Sequence, residues 1–124
     1  MDLSSLAMAC CAQGRYGQAE PLYKRSIQIT EKALGADHPD VAERLMPLAR
    51  CYRQAGKYAD AEAVYRRAIQ TIDKPGRPVP PELIHVLWGY WQLLREMDRE
   101  AEAKQIEARI EELDEKLTQE NPNP

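Results

Sequence analysis

The sequence predicts an all-α protein, an α-solenoid of three helix-turn-helix units, and three observations carry that prediction. The stretch Gly14-Arg15-Tyr16-Gly17-Gln18-Ala19-Glu20-Pro21-Leu22-Tyr23-Lys24-Arg25-Ser26-Ile27 returns 42 residues later as Gly56-Lys57-Tyr58-Ala59-Asp60-Ala61-Glu62-Ala63-Val64-Tyr65-Arg66-Arg67-Ala68-Ile69. Gly, Tyr, Ala, Glu, Tyr, Arg and Ile recur in register, and a fixed period of this length is the mark of a repeat array. Apolar residues recur at i, i+3, i+4 and i+7 between the breaks, the spacing of one helical face. The register also survives a proline-rich interruption, because Pro81-Glu82-Leu83 occupies the place of Pro39-Asp40-Val41.

The first helix is expected over residues 2–13, with Leu3, Leu6, Ala7 and Cys10 on its inner face. Gly14 ends it, since glycine takes the left-handed turn after a helix without a Cβ penalty. The second helix runs from about Gln18 to Leu34, burying Ala19, Leu22, Tyr23, Ser26, Ile27 and Thr30. Pro21 then falls in the first turn, where a missing N–H costs little. Gly35 stops it, and Asp37-His38-Pro39-Asp40 is a loop and cap. The third helix covers Pro39 to Ala55, with Leu45, Leu48, Ala49 and Tyr52 as counterparts of Leu3, Leu6, Ala7 and Cys10. Pro47 lies inside it. It removes the hydrogen bond to the Glu43 carbonyl at a cost of roughly 3 kcal/mol and predicts a kink. The fourth helix runs from Asp60 to Asp73, with Ala61, Val64, Tyr65, Ala68, Ile69 and Ile72 inward.

Lys74-Pro75-Gly76-Arg77-Pro78-Val79-Pro80-Pro81 cannot be helical, and residues 75–80 form the linker. The fifth helix spans Pro81 to Met97, with Leu87, Tyr90, Trp91 and Leu94 inward and Asp98 in the place of Gly14 and Gly56. The sixth spans Arg99 to Thr118, with Ala103, Ile106, Ile110, Leu113 and Leu117 spaced 3, 4, 3, 4. That spacing fits packing on the fifth helix and also fits a short coiled-coil seam to another chain. Residues 119–124 read as a disordered tail. The chain thus reads as one domain, 1–118, with repeats at about 1–35, 39–74 and 81–118.

Composition excludes several functions. A net charge of −3, with acids and bases mixed, lacks the basic stripe of a nucleic-acid binder. No apolar run is long enough to span a bilayer. Met1-Asp2-Leu3-Ser4-Ser5 does not read as a secretory signal. The three cysteines have no disulfide-framework spacing, so reduced thiols in a cytoplasmic protein are expected. Cys10 and Cys11 point about 100° apart on a helix, and Cys10, aligned with Tyr52, is expected to be the buried one. His38 and His85 lie in different repeats without ligand spacing, so no metal site is expected. No phosphate loop, nucleophile elbow or Gly-x-Gly-x-x-Gly is present, and the chain reads as non-catalytic with no cofactor.

The pattern Leu-x-x-Leu-Ala-x-x-Tyr-x-x-x-Gly-x-Tyr-x-x-Ala-x-x-x-Tyr-x-x-Ala, from Leu45 to Ala68, resembles the tetratricopeptide repeat. The 42-residue period, the junction Leu34-Gly35-Ala36-Asp37-His38-Pro39-Asp40-Val41-Ala42, and Ala61-Glu62-x-x-Tyr65-x-Arg67-Ala68 resemble the kinesin-light-chain type. The resemblance implies a right-handed superhelix whose first helices line a concave groove for a peptide or partner helix. It also implies a pair of asparagines between the two leucines of each first helix, one of them bonding the ligand backbone. This chain has Ser4-Ser5, Met46-Pro47 and Trp88-Gly89 there. In the third repeat, Trp91 replaces the small residue and Glu107 the aromatic one, which suggests a capping repeat.

The groove side of each first helix lies opposite its leucine stripe. It carries Ser4, Ser5, Met8 and Cys11, then Glu43, Met46, Pro47, Arg50, Arg53 and Gln54, then His85, Trp88, Gly89, Gln92 and Arg95. The partner-binding set is Met8, Glu43, Met46, Arg50, Arg53, His85, Trp88, Gln92 and Arg95. Arginine forks suit carboxylates, and tryptophan is a frequent interface anchor. The partner expected is a protein or peptide that is acidic and carries an apolar anchor. The alternatives are a solvated arginine face with Trp88 packed on linker 75–81, and a self-assembly module acting through the array ends or the last helix as a homo-oligomer.

Overall fold

A computed structural model describes residues 2–120, and all of their regular structure is helical. The helices are α1 Leu3–Ala12, α2 Tyr16–Leu34, α3 Pro39–Gln54, α4 Tyr58–Ile72, α5 Pro81–Glu96 and α6 Glu100–Glu120. They pair as three hairpins, α1/α2, α3/α4 and α5/α6, around one contiguous apolar core. No helix among the described residues is long and apolar enough to cross a membrane.

The repeat is built on three identical turns. Arg15 N–H bonds the Cys10 carbonyl at 2.8 Å and Gly14 N–H bonds Cys11 at 3.0 Å. Lys57 and Gly56 do the same to Tyr52 and Arg53, and Arg99 and Asp98 to Leu94 and Arg95. Each is a Schellman closure, whose turn residue takes a positive φ. Those angles are 77° at Gly14, 79° at Gly56 and 58° at Asp98, the one described non-glycine residue in that region. These tight turns start the second helix of the first two repeats earlier than the sequence suggests, at Tyr16 and Tyr58 rather than Gln18 and Asp60. Pro21 consequently sits in the second turn of α2, not the first. Pro47 leaves α3 continuous from Pro39 to Gln54. His38 caps α3, its Nδ1 accepting from Asp40 N–H at 3.1 Å.

Glutamates tie one repeat to the next. Tyr52 Oη of α3 donates to Glu20 of α2 at 2.8 Å, and Tyr90 Oη of α5 donates to Glu62 of α4 at 2.7 Å. The third-repeat departures compensate each other, because Trp91 Nε1 donates to Glu107 Oε1 at 2.6 Å. A large residue on α5 and a polar acceptor on α6 thus exchange the small-aromatic arrangement of Ala49 and Tyr65.

Three further expectations are corrected. Cys11, placed in the groove, is the buried thiol of its pair and donates to Gln54 Oε1 at 3.0 Å, while Cys10 is only half-buried. Leu6 is 44% exposed, although its counterparts Leu48 and Tyr90 are buried. Helix α6 continues through Glu120, past the expected end at Thr118, and the remainder of the expected tail, 121–124, lies outside the described residues. Ala103, Ile110 and Leu113 of α6 are buried within the chain itself, so most of the 3-4 stripe is spent on packing against α5.

Candidate functional site

Helices α1, α3 and α5 lie side by side and leave two hollows, one on each flank of α3. The first, about 160 Å³, lies between α1 and α3 and is lined by Met8, Cys11, Ala12, Tyr23, Pro47, Arg50, Cys51 and Gln54. The second, about 170 Å³, lies between α3 and α5 and is lined by Met46, Arg50, Arg53, Tyr65, His85, Trp88, Gly89 and Gln92. Arg50 borders both. The 42-residue register causes this alignment, because it returns the same helical face to the same side in each repeat.

Most of the candidate residues come together here. Met8, Met46, Arg50, Arg53, His85, Trp88 and Gln92 line the hollows. Glu43 stands beside the second, with Oε1 3.4 Å from His85 Nδ1 across the α3–α5 gap. Arg95 does not join them. Its guanidinium lies 5.1 Å from the Trp91 ring centroid, and its Nε meets Glu100 Oε1 at 3.3 Å. Met46 is 6% exposed and forms floor rather than rim. Trp88 is 46% exposed, meets Trp91 edge-on at 5.2 Å, and no linker residue lines its hollow.

Gly89 explains why the second hollow exists. A Cβ there would sit 2.7 Å from Tyr65 Cε1 and 3.0 Å from Met46 Cε. The bare backbone lets α5 close over these two side chains. Tyr65 belongs to the site for this reason, and the signal in the sequence was a glycine inside an otherwise good helix.

The two hollows differ in character. Burial pushes the Cys51 thiol up to about 12, with the Cys11 thiol beside it adding to the shift, and burial pushes the Tyr23 phenol up to about 12. Both stay protonated at neutral pH, so the floor of the first hollow is neutral. The second carries cations. Arg53 is 18% exposed and faces Glu96 at 3.8 Å. Arg50 is exposed and has no carboxylate oxygen within 4 Å among the described residues.

The fold and the family follow from comparison with known proteins. The solved structure of nearly identical TPR-like repeats from a Podosopora anserina protein described as a kinesin light chain superposes with a TM-score of 0.74 at 19% identity. It is matched over 93% of this chain and 55% of its own length. A form of those repeats carrying one substitution gives a TM-score of 0.75 at 19% identity, over 93% of this chain and 54% of its own. The chain therefore spans about half the length of these structures, and it shares the fold of their TPR-like repeats. The family model of the tetratricopeptide repeat matches residues 3–73, and the chain belongs to the tetratricopeptide repeat family.

Proposed function

We propose that the chain is a non-catalytic adaptor that binds a protein segment along the face formed by α1, α3 and α5. The observation that carries this reading is Arg50, an exposed guanidinium without an acid partner among the described residues, set between a neutral hollow and a cationic one. A guanidinium fork in that position selects a carboxylate. The neutral hollow beside Cys51 suits an apolar side chain, and exposed Trp88 adds a flat anchor on the opposite flank. The segment is thus acidic, with an apolar residue next to the acid. Arg53 and Arg95 contribute less, because each already faces a glutamate.

Selection from a displayed random-peptide library, on the wild type and on Arg50→Glu, tests this. The wild type enriches peptides with an acid beside an apolar residue, and the variant loses that enrichment while keeping its melting temperature. Enrichment of the same peptides by both proteins would refute the groove assignment.

A further inference from the structure

The hollow between α3 and α5 holds a hydroxyl that the fold leaves without a partner. Tyr52 Oη donates to Glu20 and Tyr90 Oη to Glu62, but Tyr65 Oη bonds nothing among the described residues, although Tyr65 is only 3% exposed. Every fully enclosed side-chain oxygen or nitrogen among them has a partner. Tyr65 Oη therefore reaches open space, and the hollow that it lines is that space. The Gly89 backbone passes close over it, since a Cβ there would lie 3.0 Å from Oη. Burial raises the phenol above its usual 10, while the Arg53 and Arg50 guanidiniums oppose that shift. At neutral pH the group is an O–H donor.

Two guanidiniums share the hollow with this hydroxyl, at positions that are neutral in the preceding repeat. The two hollows occupy the same place in successive repeats, with Tyr23 as the counterpart of Tyr65. Met8 and Cys11 stand in the first where Arg50 and Arg53 stand in the second. No acid lines the second hollow among the described residues. Glu96 approaches Arg53 only at Nε, at 3.8 Å, and the two terminal amino groups of Arg53 bond nothing among the described residues. Gln92 adds a side-chain amide from the α5 wall. The donors thus come from three helices, α3, α4 and α5, rather than from a single fork.

We infer, on the basis of the groove proposed above, that this hollow receives a phosphorylated side chain of the bound segment, its phosphoryl oxygens shared among Arg50, Arg53, the Tyr65 hydroxyl and the Gln92 amide. A carboxylate has one charge and two oxygens in one plane, and the Arg50 fork alone satisfies it. A phosphate monoester carries about −1.5 to −2 charge at pH 7 and three acceptor oxygens directed to different sides. It uses the second guanidinium and the tyrosine hydroxyl as well. Phosphorylation of the partner therefore strengthens its capture.

The probes are short, end-capped peptide pools with one fixed central residue, phosphoserine, phosphotyrosine, glutamate or serine, between mixed residues. Each is titrated into the full ¹⁵N-labelled chain at about pH 7.5, where the phosphate is a dianion, and inorganic phosphate is titrated alongside. At least one phosphopeptide pool binds about tenfold or more tighter than the glutamate pool, with saturable shifts of the Gly89 amide and the Trp88 indole. The tighter of the two phosphopeptide pools identifies the phosphorylated residue. Tyr65→Phe, which keeps the ring stacked on Tyr90, and Arg53→Gln each bring phosphopeptide binding down to the glutamate level, and thermal unfolding checks that both variants stay folded. Equal binding of the phosphopeptide and glutamate pools, lost together in Arg50→Glu, overturns the inference and leaves the groove reading standing. A phosphopeptide preference indifferent to Tyr65→Phe or to Arg53→Gln, or inorganic phosphate bound as tightly as the pools, also overturns it. Binding of every pool indifferent to Arg50→Glu, or no saturable binding of any pool, overturns both.

Discussion

Gly89→Ala should destabilise the protein, although alanine is the better helix former. In an exposed helix interior the change would gain about 1 kcal/mol. Here the new Cβ would meet Tyr65 Cε1 at 2.7 Å and Tyr65 Oη and Met46 Cε at 3.0 Å. Met46 Cε is the free end of a flexible chain and can retreat. Tyr65 cannot, being 3% exposed and stacked on Tyr90, which is itself held by Glu62 and Arg66. Overpacking costs about 1–3 kcal/mol, and three contacts at 3.0 Å or less, two of them to the immobile Tyr65 ring, put this case in the upper part of that range, at about 2–3 kcal/mol. The net expectation is a loss of about 1–2 kcal/mol, or roughly 3–10 °C in Tm for a chain of this length. Thermal and urea unfolding of Gly89→Ala, Tyr65→Leu and the double variant measure it, and the pair should couple by about 1 kcal/mol or more. An unchanged or raised Tm for Gly89→Ala would refute the close approach of α5 to Tyr65.

Three further outcomes follow from the same geometry. Asp98→Gly should stabilise by about 1 kcal/mol, because Asp98 holds a left-handed φ that Gly14 and Gly56 take without a side chain; equal or lower stability in urea would contradict this. The Glu62 carboxyl is held below its usual 4.5, first by the Arg99 guanidinium and then by the Tyr90 hydroxyl. A depressed folded value means its contribution is full above 4.5 and is lost as pH falls through the folded pKa, so Glu62→Gln should flatten the acid limb of the stability curve below 4.5. At neutral pH Cys10 should be alkylated first, while Cys51, 3% exposed and with its thiol near 12, reacts only on unfolding; mass spectrometry of partly labelled protein reads the order.

The sequence revealed the helices and their register because period and turn chemistry are local properties. Gly14, Gly56 and Asp98 could be aligned by counting, and all three close the same turn. What escaped depends on neighbours. Leu6 has the same helical position as Leu48, yet burial needs a helix on its other side. Cys10 and Cys11 are about 100° apart, and a small rotation of α1 decides which one faces Gln54. Trp91 and Glu107 read separately as departures, because only the folded hairpin brings the indole N–H to the carboxylate. Within the groove, helical phase placed Arg50, Arg53, His85, Trp88 and Gln92 together. It could not show that Arg95 turns to Trp91 and Glu100, or that Gly89 lowers Met46 to the floor, since both outcomes rest on side-chain contacts between repeats.

Capture of an acidic segment by Arg50, set between the two hollows, can be read from one library-selected peptide. Its affinity is measured for the wild type, Arg50→Glu and Leu6→Asp, each at low and high salt. Arg50→Glu should weaken binding by about tenfold or more, as expected when a charge-assisted contact becomes repulsive. Salt should weaken the wild-type complex, and Leu6→Asp should bind as the wild type does. Equal affinity for Arg50→Glu, or a loss confined to Leu6→Asp, would contradict capture by Arg50.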